Sequence, residues 1–159
     1  DQIKEQEKAA KLQAAAVDGH VVPTPPSLLD DVPVVMPGLT QAVKLQKKAA
    51  KVGFDWPDTS LVIDKLNEEM LELSQEITKE PRDTSKIEDE LGDILFVYAN
   101  LARHLGVDPE AAIRRTNQKF RRRFGRIEEL LSSDDKSFDE MDLAGLDLLW
   151  DQAKKEERS

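Results

Sequence analysis

Four carboxylates occur in two pairs whose spacing matches one turn of an α-helix. Glu69 and Glu72 form the first pair, and Glu90 and Asp93 form the second. Because residues three apart lie on the same face of a helix, each pair would present two carboxylates together. Four acids that face one another can hold a hard divalent cation, of which Mg²⁺ is the obvious candidate. The same spacing is common on solvated helix faces, so the spacing alone leaves surface charge as an alternative.

Composition indicates a helical protein with one sizeable core. The chain has 159 residues, of which 39% are hydrophobic and 35% are charged, with seven glycines and a net charge of −9. No run alternates in the way a β-strand does, which favours an all-α fold. The acidic balance argues against broad affinity for nucleic acid or anionic membranes, and it suits cation binding.

The chain has no cysteine, which excludes disulfides, thiolate metal sites and cysteine nucleophiles. No apolar run approaches the ~20 residues of a membrane span, and no signal peptide is visible. We therefore expect a cytoplasmic protein. The first residue is Asp rather than Met, so we also expect the chain to be part of a longer protein.

Capping residues and prolines divide the chain into helices. Asp58 or Thr59 can cap a helix that Pro81 ends, and Asp108 followed by Pro109 is a typical helix start. We divide the chain into an N-terminal helix with a Pro-rich arm over 1–35 and a helical domain over 36–159. Helices are predicted at 2–16, 39–52, 59–80, 85–105, 109–131 and 139–157.

The helix at 59–80 carries an apolar stripe and an acidic stripe side by side. The predicted core line consists of Leu66, Met70, Leu73 and Ile77. About 100° around the helix lie Lys65, Glu69, Glu72 and Glu76. Acids in that position would border a seam between helices, where they could bind a metal or form salt bridges across the seam.

The helix at 85–105 places an acid among apolar residues. Glu90 projects between Ile94 and Val97, and Asp93 lies at the edge of this apolar arc. A charge in such an arc is costly unless it is paired, protonated or bound to a metal. A Lys or Arg from another helix is the alternative partner. If the two acidic helices pack together, all four carboxylates meet at one focus.

The helix at 109–131 is strongly basic. Lys119 and Arg123 lie one turn apart on it and could hold an anion together. A solvated basic face is the simpler interpretation for most of the others. Metal on one wall and cations on another would suit a polyphosphate ligand. The cations are Arg114, Arg115, Lys119, Arg121, Arg122, Arg123 and Arg126.

Five segments of the sequence carry a recognisable combination of motifs: 44–56, 68–72, 90–93, 100–109 and 115–124. In this order they resemble the MazG family of nucleoside triphosphate pyrophosphohydrolases. The similarity covers nearly the whole chain, from about residue 3 to residue 154. The resemblance implies an all-α, antiparallel helical bundle of the NTP pyrophosphatase type that is completed by homodimerisation. It also implies hydrolysis of nucleoside triphosphates to monophosphate and pyrophosphate with Mg²⁺, for which Mn²⁺ could substitute.

The resemblance also implies roles for individual residues. Trp150 would stack on the base or only anchor the last helix, and Asn117 would bind sugar or phosphate or cap a local network. Glu68 and Glu76 would support the ligands from outside the ligand set, and one of them could accept a proton. The catalytic metal ligands would be Glu69, Glu72, Glu90 and Asp93. The phosphate contacts would be Lys65, Lys119 and Arg123.

The resemblance is to the C-terminal domain of a two-domain member, so we expect an upstream domain outside this chain. The implied mechanism is attack on the α-phosphorus by a metal-activated water. Because the candidate pocket offers no evident base-specific hydrogen bonds, we predict broad base specificity. We expect no nucleic acid or membrane partner.

Two other interpretations account for part of the pattern. A di-iron carboxylate bundle would need Glu-x-x-His motifs, and His20 and His104, the two histidines of the chain, do not provide them. A non-enzymatic helical module could use the basic helix 109–131 to dock an acidic partner or nucleic acid. That alternative explains the cations but leaves Glu90 unexplained.

Overall fold

The computed structural model describes residues 25–157, and this part of the chain is entirely helical, which confirms the predicted all-α class. The helix predicted at 2–16 lies outside the described residues. Within the described part, no helix is long and apolar enough to cross a membrane. The helices are α1 (Gly38–Ala50), α2 (Thr59–Thr78), α3 (Thr84–His104), α4 (Pro109–Ser133) and α5 (Leu143–Glu156), with a 3₁₀ turn (Phe138–Glu140) before α5.

Aspartate side chains set the start of four helices, the first three of which are α2, α3 and α4. Asp58 accepts hydrogen bonds from backbone N–H groups in the first turn of α2, and Asp83 does the same for α3. Asp108 caps α4, with Pro109 in its first turn. These carboxylates satisfy N–H groups that have no partner within their own helix. Of the two predicted candidates, Asp58 rather than Thr59 caps α2, and the cap predicted at Asp108 is confirmed.

The last helix begins later than the predicted residue 139. Ser137 and Glu140 form a capping box that closes the 3₁₀ turn. Asp142 then accepts a hydrogen bond from the backbone N–H of Gly145 at 2.8 Å, which starts α5 at Leu143. The residues that were predicted as one helix from 139 therefore form a 3₁₀ turn followed by α5, and each of the two has its own cap.

The helices pack in two groups. α2 and α3 are joined by a short connection and pack side by side, and α1 packs on α3. α4 and α5 form a second pair that touches α1 and α3 over a short stretch and does not pack along α2. The acidic helices and the basic helix therefore belong to different parts of the chain's fold.

One face of α2 is buried against α3, and this face differs from the predicted core line. Leu73 is buried as predicted, but Met70 and Ile77 are 45% and 42% exposed. Val62 and Glu69 are buried instead. The prediction for Met70 and Ile77 was wrong because α2 has two apolar faces and α3 covers only one of them.

Several large apolar side chains on α2 and α3 remain exposed. Burying large apolar side chains is the main source of helix packing energy, so uncovered faces of this kind mark contact surfaces. We call this group the open apolar face. It consists of Ile63, Met70, Ile77, Leu91, Leu95 and Tyr98, each 42–53% exposed.

Candidate metal and phosphate site

Three of the predicted acids meet across the seam between α2 and α3. Glu69 and Glu72 come from α2, Glu90 comes from α3, and one carboxylate oxygen of each lies within 4.8 Å of the other two. Oxygens at such separations can surround one ion that holds each of them at about 2.0–2.6 Å. We call these three residues the acid triad.

The fourth predicted acid lies beside the triad. Asp93 is exposed and is one turn beyond Glu90 on α3. Its negative charge raises the pKa of Glu90, so the two carboxylates are close enough to repel each other. The structure thus brings Glu69, Glu72 and Glu90 together and leaves Asp93 at the edge of the group.

The depth of the acids differs from the sequence prediction. Glu69 is the most buried of the four, with 4% of its surface exposed, whereas Glu90 is half-buried and Glu72 is exposed. Glu69 does border the seam between α2 and α3, as predicted, but it lies deeper in that seam than Glu90, the acid predicted to lie among apolar residues. Glu69 shares the buried face of α2 with Val62 and Leu73, and this could not be known before α3 was placed against that face.

The triad is electrostatically unfavourable by itself. Burial raises the pKa of Glu90, and the negative charges of Glu72, Glu69, Asp93 and Glu76 raise it further. A divalent cation would reverse these repulsions, and a set of carboxylate oxygens is the ligand type that Mg²⁺ and Mn²⁺ prefer. The side chains present therefore fit a hard divalent metal.

Glu76 extends the acidic group one turn beyond Glu72. One of its carboxylate oxygens forms an ion pair with Lys79. The other, Oε2, is buried and has no hydrogen-bond partner among the described residues. A buried acceptor without a donor is costly, which makes this oxygen available to a water or a ligand.

Lys65 binds two acids of its own helix. Its ammonium lies 2.8 Å from Oε1 of Glu68 and 2.7 Å from Oε1 of Glu69. Glu68 is more than half exposed, whereas the side chain of Glu69 is 6% exposed. Hydrogen bonds to Glu68 and then Glu69 raise the pKa of Lys65. The lysine expected to contact phosphate is therefore held at the edge of the triad.

The two predicted phosphate-binding cations of α4 lie in different surroundings. Lys119 is exposed and lines an open cleft together with Arg115, Thr116 and Arg122. Arg123 is mostly buried, and its Nε donates to Glu157 at 2.8 Å. Their helix does not pack along α2. Among the described residues, neither cation forms an ion pair with an acid of the triad.

Trp150 belongs to an aromatic cluster between α4 and α5. Its ring lies 5.4 Å from that of Phe120, and the guanidinium of Arg123 lies 5.5 Å from the Trp150 ring centroid. Phe124 stacks on Phe120 and on Phe138. In this arrangement Trp150 anchors α5 to α4. Asn117 is exposed on α4.

A polar network at the end of α3 was not among the features predicted from the sequence. Asp55 accepts hydrogen bonds from Arg103 and lies 3.0 Å from Nε2 of His104. The Oδ1 atom of Asn100, a residue only 1% exposed, accepts from Nε of Arg103 at 2.8 Å. Hydrogen bonding to Arg103 lowers the pKa of Asp55 despite its partial burial. The network fixes the turn before α2 against α3. The sequence signal for it was that Asn100 and His104 lie on the helical face of Asp93, at the edge of the apolar arc.

Comparison with known proteins gives matches that include both acidic helices. Residues 58–126 match the MazG nucleotide pyrophosphohydrolase domain. The chain is 39% identical over 157 residues to a nucleoside triphosphate pyrophosphohydrolase of Escherichia coli, covering 99% of this chain and 55% of that protein. It is 40% identical over 128 residues to the nucleoside triphosphate pyrophosphohydrolase/pyrophosphatase MazG of Thermotoga maritima, covering 80% of this chain and 48% of that protein. The chain thus spans about half the length of these curated relatives.

Proposed function

The chain belongs to the family of MazG nucleotide pyrophosphohydrolase domains, and from this premise we propose that it hydrolyses nucleoside triphosphates to nucleoside monophosphate and pyrophosphate. The observation that carries the proposal is the acid triad, in which Glu69, Glu72 and Glu90 converge from two helices. A surface charge pattern would not require three carboxylates to share one centre.

The reaction needs a divalent metal, and the triad supports Mg²⁺ as that ion, with Mn²⁺ as a substitute. Bound there, Mg²⁺ would polarise the phosphate oxygens and make an attacking water more acidic. Glu69, Glu72 and Glu90 would hold the ion, and Asp93 would complete the ligand set from the edge of the triad. The repulsion that raises the pKa of Glu90 supports this assignment, because a cation relieves it.

The proton of the attacking water would pass to Glu76. Its Oε2 atom is buried without a donor, whereas Glu68 is exposed and bound to Lys65. Water oxygen then bonds to the α-phosphorus, the bond from that phosphorus to the bridging oxygen breaks, and pyrophosphate leaves with the electron pair. Cations from α4, Lys119 and Arg123, would neutralise the leaving group.

A homodimer would complete this site. The open apolar face on α2 and α3 fits a second copy, because an identical copy presents the same uncovered surface for an isologous interface. Because α4 does not pack along α2, we propose that Lys119 and Arg123 of one protomer serve the triad of the other. Trp150 and Asn117 would then approach the nucleoside from the same side.

The remaining parts of the proposal concern the wider protein. We propose that the catalytic domain is 36–159, that 1–35 is an arm leading into it, and that an upstream domain precedes the chain, since the relatives are about twice as long. Broad base specificity and a cytoplasmic location stay predictions. No nucleic acid partner is proposed.

The position of attack can be tested with a panel of nucleoside triphosphates in ¹⁸O-labelled water containing Mg²⁺. Attack at the α-phosphorus places the label in the monophosphate and releases unlabelled pyrophosphate. Label in pyrophosphate, or release of orthophosphate, would contradict the proposed reaction. A protein that hydrolyses no nucleotide under these conditions would instead support the interaction-module alternative.

A further inference from the structure

Lys65 and the metal site make use of the same carboxylate. Glu69 is the most buried member of the acid triad, and its Oε1 atom lies 2.7 Å from the Lys65 ammonium. A buried carboxylate needs a compensating positive charge, and here that charge comes from four residues earlier on the same helix. Glu68 holds the other side of the ammonium at 2.8 Å.

A divalent ion bound to Glu69 would stand within a few ångströms of this ammonium. Two cations that share one carboxylate repel each other, and a Lys side chain is long and flexible enough to turn away. Glu68 stays exposed and keeps an attachment point for the ammonium at the rim of the site. Lys65 can therefore leave Glu69 without leaving the site.

We propose that Lys65 is a place-holding cation, which neutralises Glu69 until a divalent metal takes over that carboxylate and frees the ammonium for substrate phosphate. The inference rests on the proposed metal site and adds a competition between lysine and metal. Metal binding and the availability of the phosphate-binding lysine are then coupled, and the coupling acts in both directions.

The proposed competition predicts that the loss of Lys65, a residue of the binding site, increases the affinity for metal. Removing Lys65 must tighten metal binding, because Glu69 no longer has a rival partner. We expect Lys65→Met to bind Mn²⁺ about tenfold more tightly than the wild type in the absence of nucleotide, within the range typical of coupled sites. Lys65→Arg keeps the positive charge, so its affinity for Mn²⁺ should stay within about twofold of the wild-type affinity. This is well below the change expected for Lys65→Met.

Lys86 provides the matched control. It lies one turn before Glu90 on α3, is exposed, and makes no ion pair within residues 25–157. Lys86→Met removes the same charge from the neighbourhood of the triad without freeing a carboxylate. If Mn²⁺ affinity rises equally in Lys86→Met and Lys65→Met, general electrostatics explains the change and direct competition is ruled out.

The measurement is Mn²⁺ binding to the full chain by electron paramagnetic resonance or calorimetry, with circular dichroism to verify folding. Melting temperature gives a second measurement, since saturating Mg²⁺ should raise it more in Lys65→Met than in the wild type. If Lys65→Met binds Mn²⁺ as well as the wild type or more weakly, the proposed competition is wrong, whereas the proposed metal site is unaffected. If Glu69→Gln binds Mn²⁺ as well as the wild type does, the proposed metal site itself is wrong.

Discussion

Glu69 and Glu90 face each other across the α2–α3 seam, with carboxylate oxygens within 4.8 Å although the residues are 21 positions apart in the chain. Only helix packing can bring them this close. Like charges at this separation destabilise the fold unless a proton or a cation intervenes. The repulsion between Glu69 and Glu90 should therefore affect the stability of the protein as well as its activity.

Replacing Glu90 with Gln should stabilise the protein when a chelator removes divalent metal. The raised pKa of Glu90 means that folding favours its protonated form, so its contribution to stability is present at low pH and is lost as pH rises through the folded-state pKa. The melting temperature of Glu90→Gln in chelator should therefore exceed that of the wild type near neutral pH. The difference should shrink as pH falls below the ordinary pKa of Glu.

Added Mg²⁺ should reverse this order, because the wild type gains more from the ion than Glu90→Gln does. Thermal unfolding with and without Mg²⁺ measures both effects. A wild-type protein that is more stable than Glu90→Gln in chelator at neutral pH would show that the triad is not under repulsion.

Two inactive variants should restore activity when they are mixed. If the cations of one protomer serve the acids of the other, a dimer of Glu90→Gln with Lys119→Met has one site with both defects and one intact site. Each variant alone should lose about 100-fold or more in turnover, as expected for loss of a metal ligand or of a charge-stabilising donor. Co-refolded mixtures should then recover up to roughly a quarter of wild-type activity, because about half of the chains form mixed dimers. If the mixture recovers no activity, the cations and the acids of one site come from the same protomer.

A charge placed on the open apolar face should separate the protomers. Ile63 is 44% exposed on this face of α2. At 100° per residue it lies about 120–180° around the helix from Glu69 and Glu72. Ile63→Asp should convert the dimer to a monomer and lower activity, because burying an unpaired charge at an interface is costly. Light scattering after size-exclusion chromatography measures the mass. Val35→Asp, at an 89% exposed position before α1, should leave the mass unchanged.

Replacing Trp150 should lower the stability of the protein more than it changes nucleotide binding. Its contacts with Phe120 and Arg123 hold α5 on α4, so Trp150→Ala should destabilise the protein. Because Trp150 is only partly buried, the loss should be smaller than the ~3–5 kcal/mol typical of a core Trp. Trp150→Phe should keep most of this stability. If Trp150→Phe also keeps the KM for nucleotide, the ring is an anchor; a KM that rises with stability intact would support base stacking.

The sequence predicts the helices well because their signals are local. Caps at Asp58 and Asp108 fix two helix starts, and acids three residues apart must share a helix face. The burial of Glu69 could not be predicted in the same way, because it depends on which of two apolar faces of α2 meets α3. The pairing of Arg123 with Glu157 has the same origin, since it requires that α5 fold back onto α4. Contacts between distant helices are set by packing, and spacing along one helix does not reveal them.

The central claim is that the acid triad holds the metal that drives pyrophosphate release. Its most direct test is Mg²⁺-dependent pyrophosphate release by the wild type, Glu90→Gln and the control Glu88→Gln, which changes an exposed acid two residues earlier on α3. We predict that Glu88→Gln keeps wild-type turnover and that folded Glu90→Gln loses about 100-fold or more, an effect of the size seen when a charge-stabilising group is removed. Near-wild-type, Mg²⁺-dependent turnover by Glu90→Gln would contradict the account.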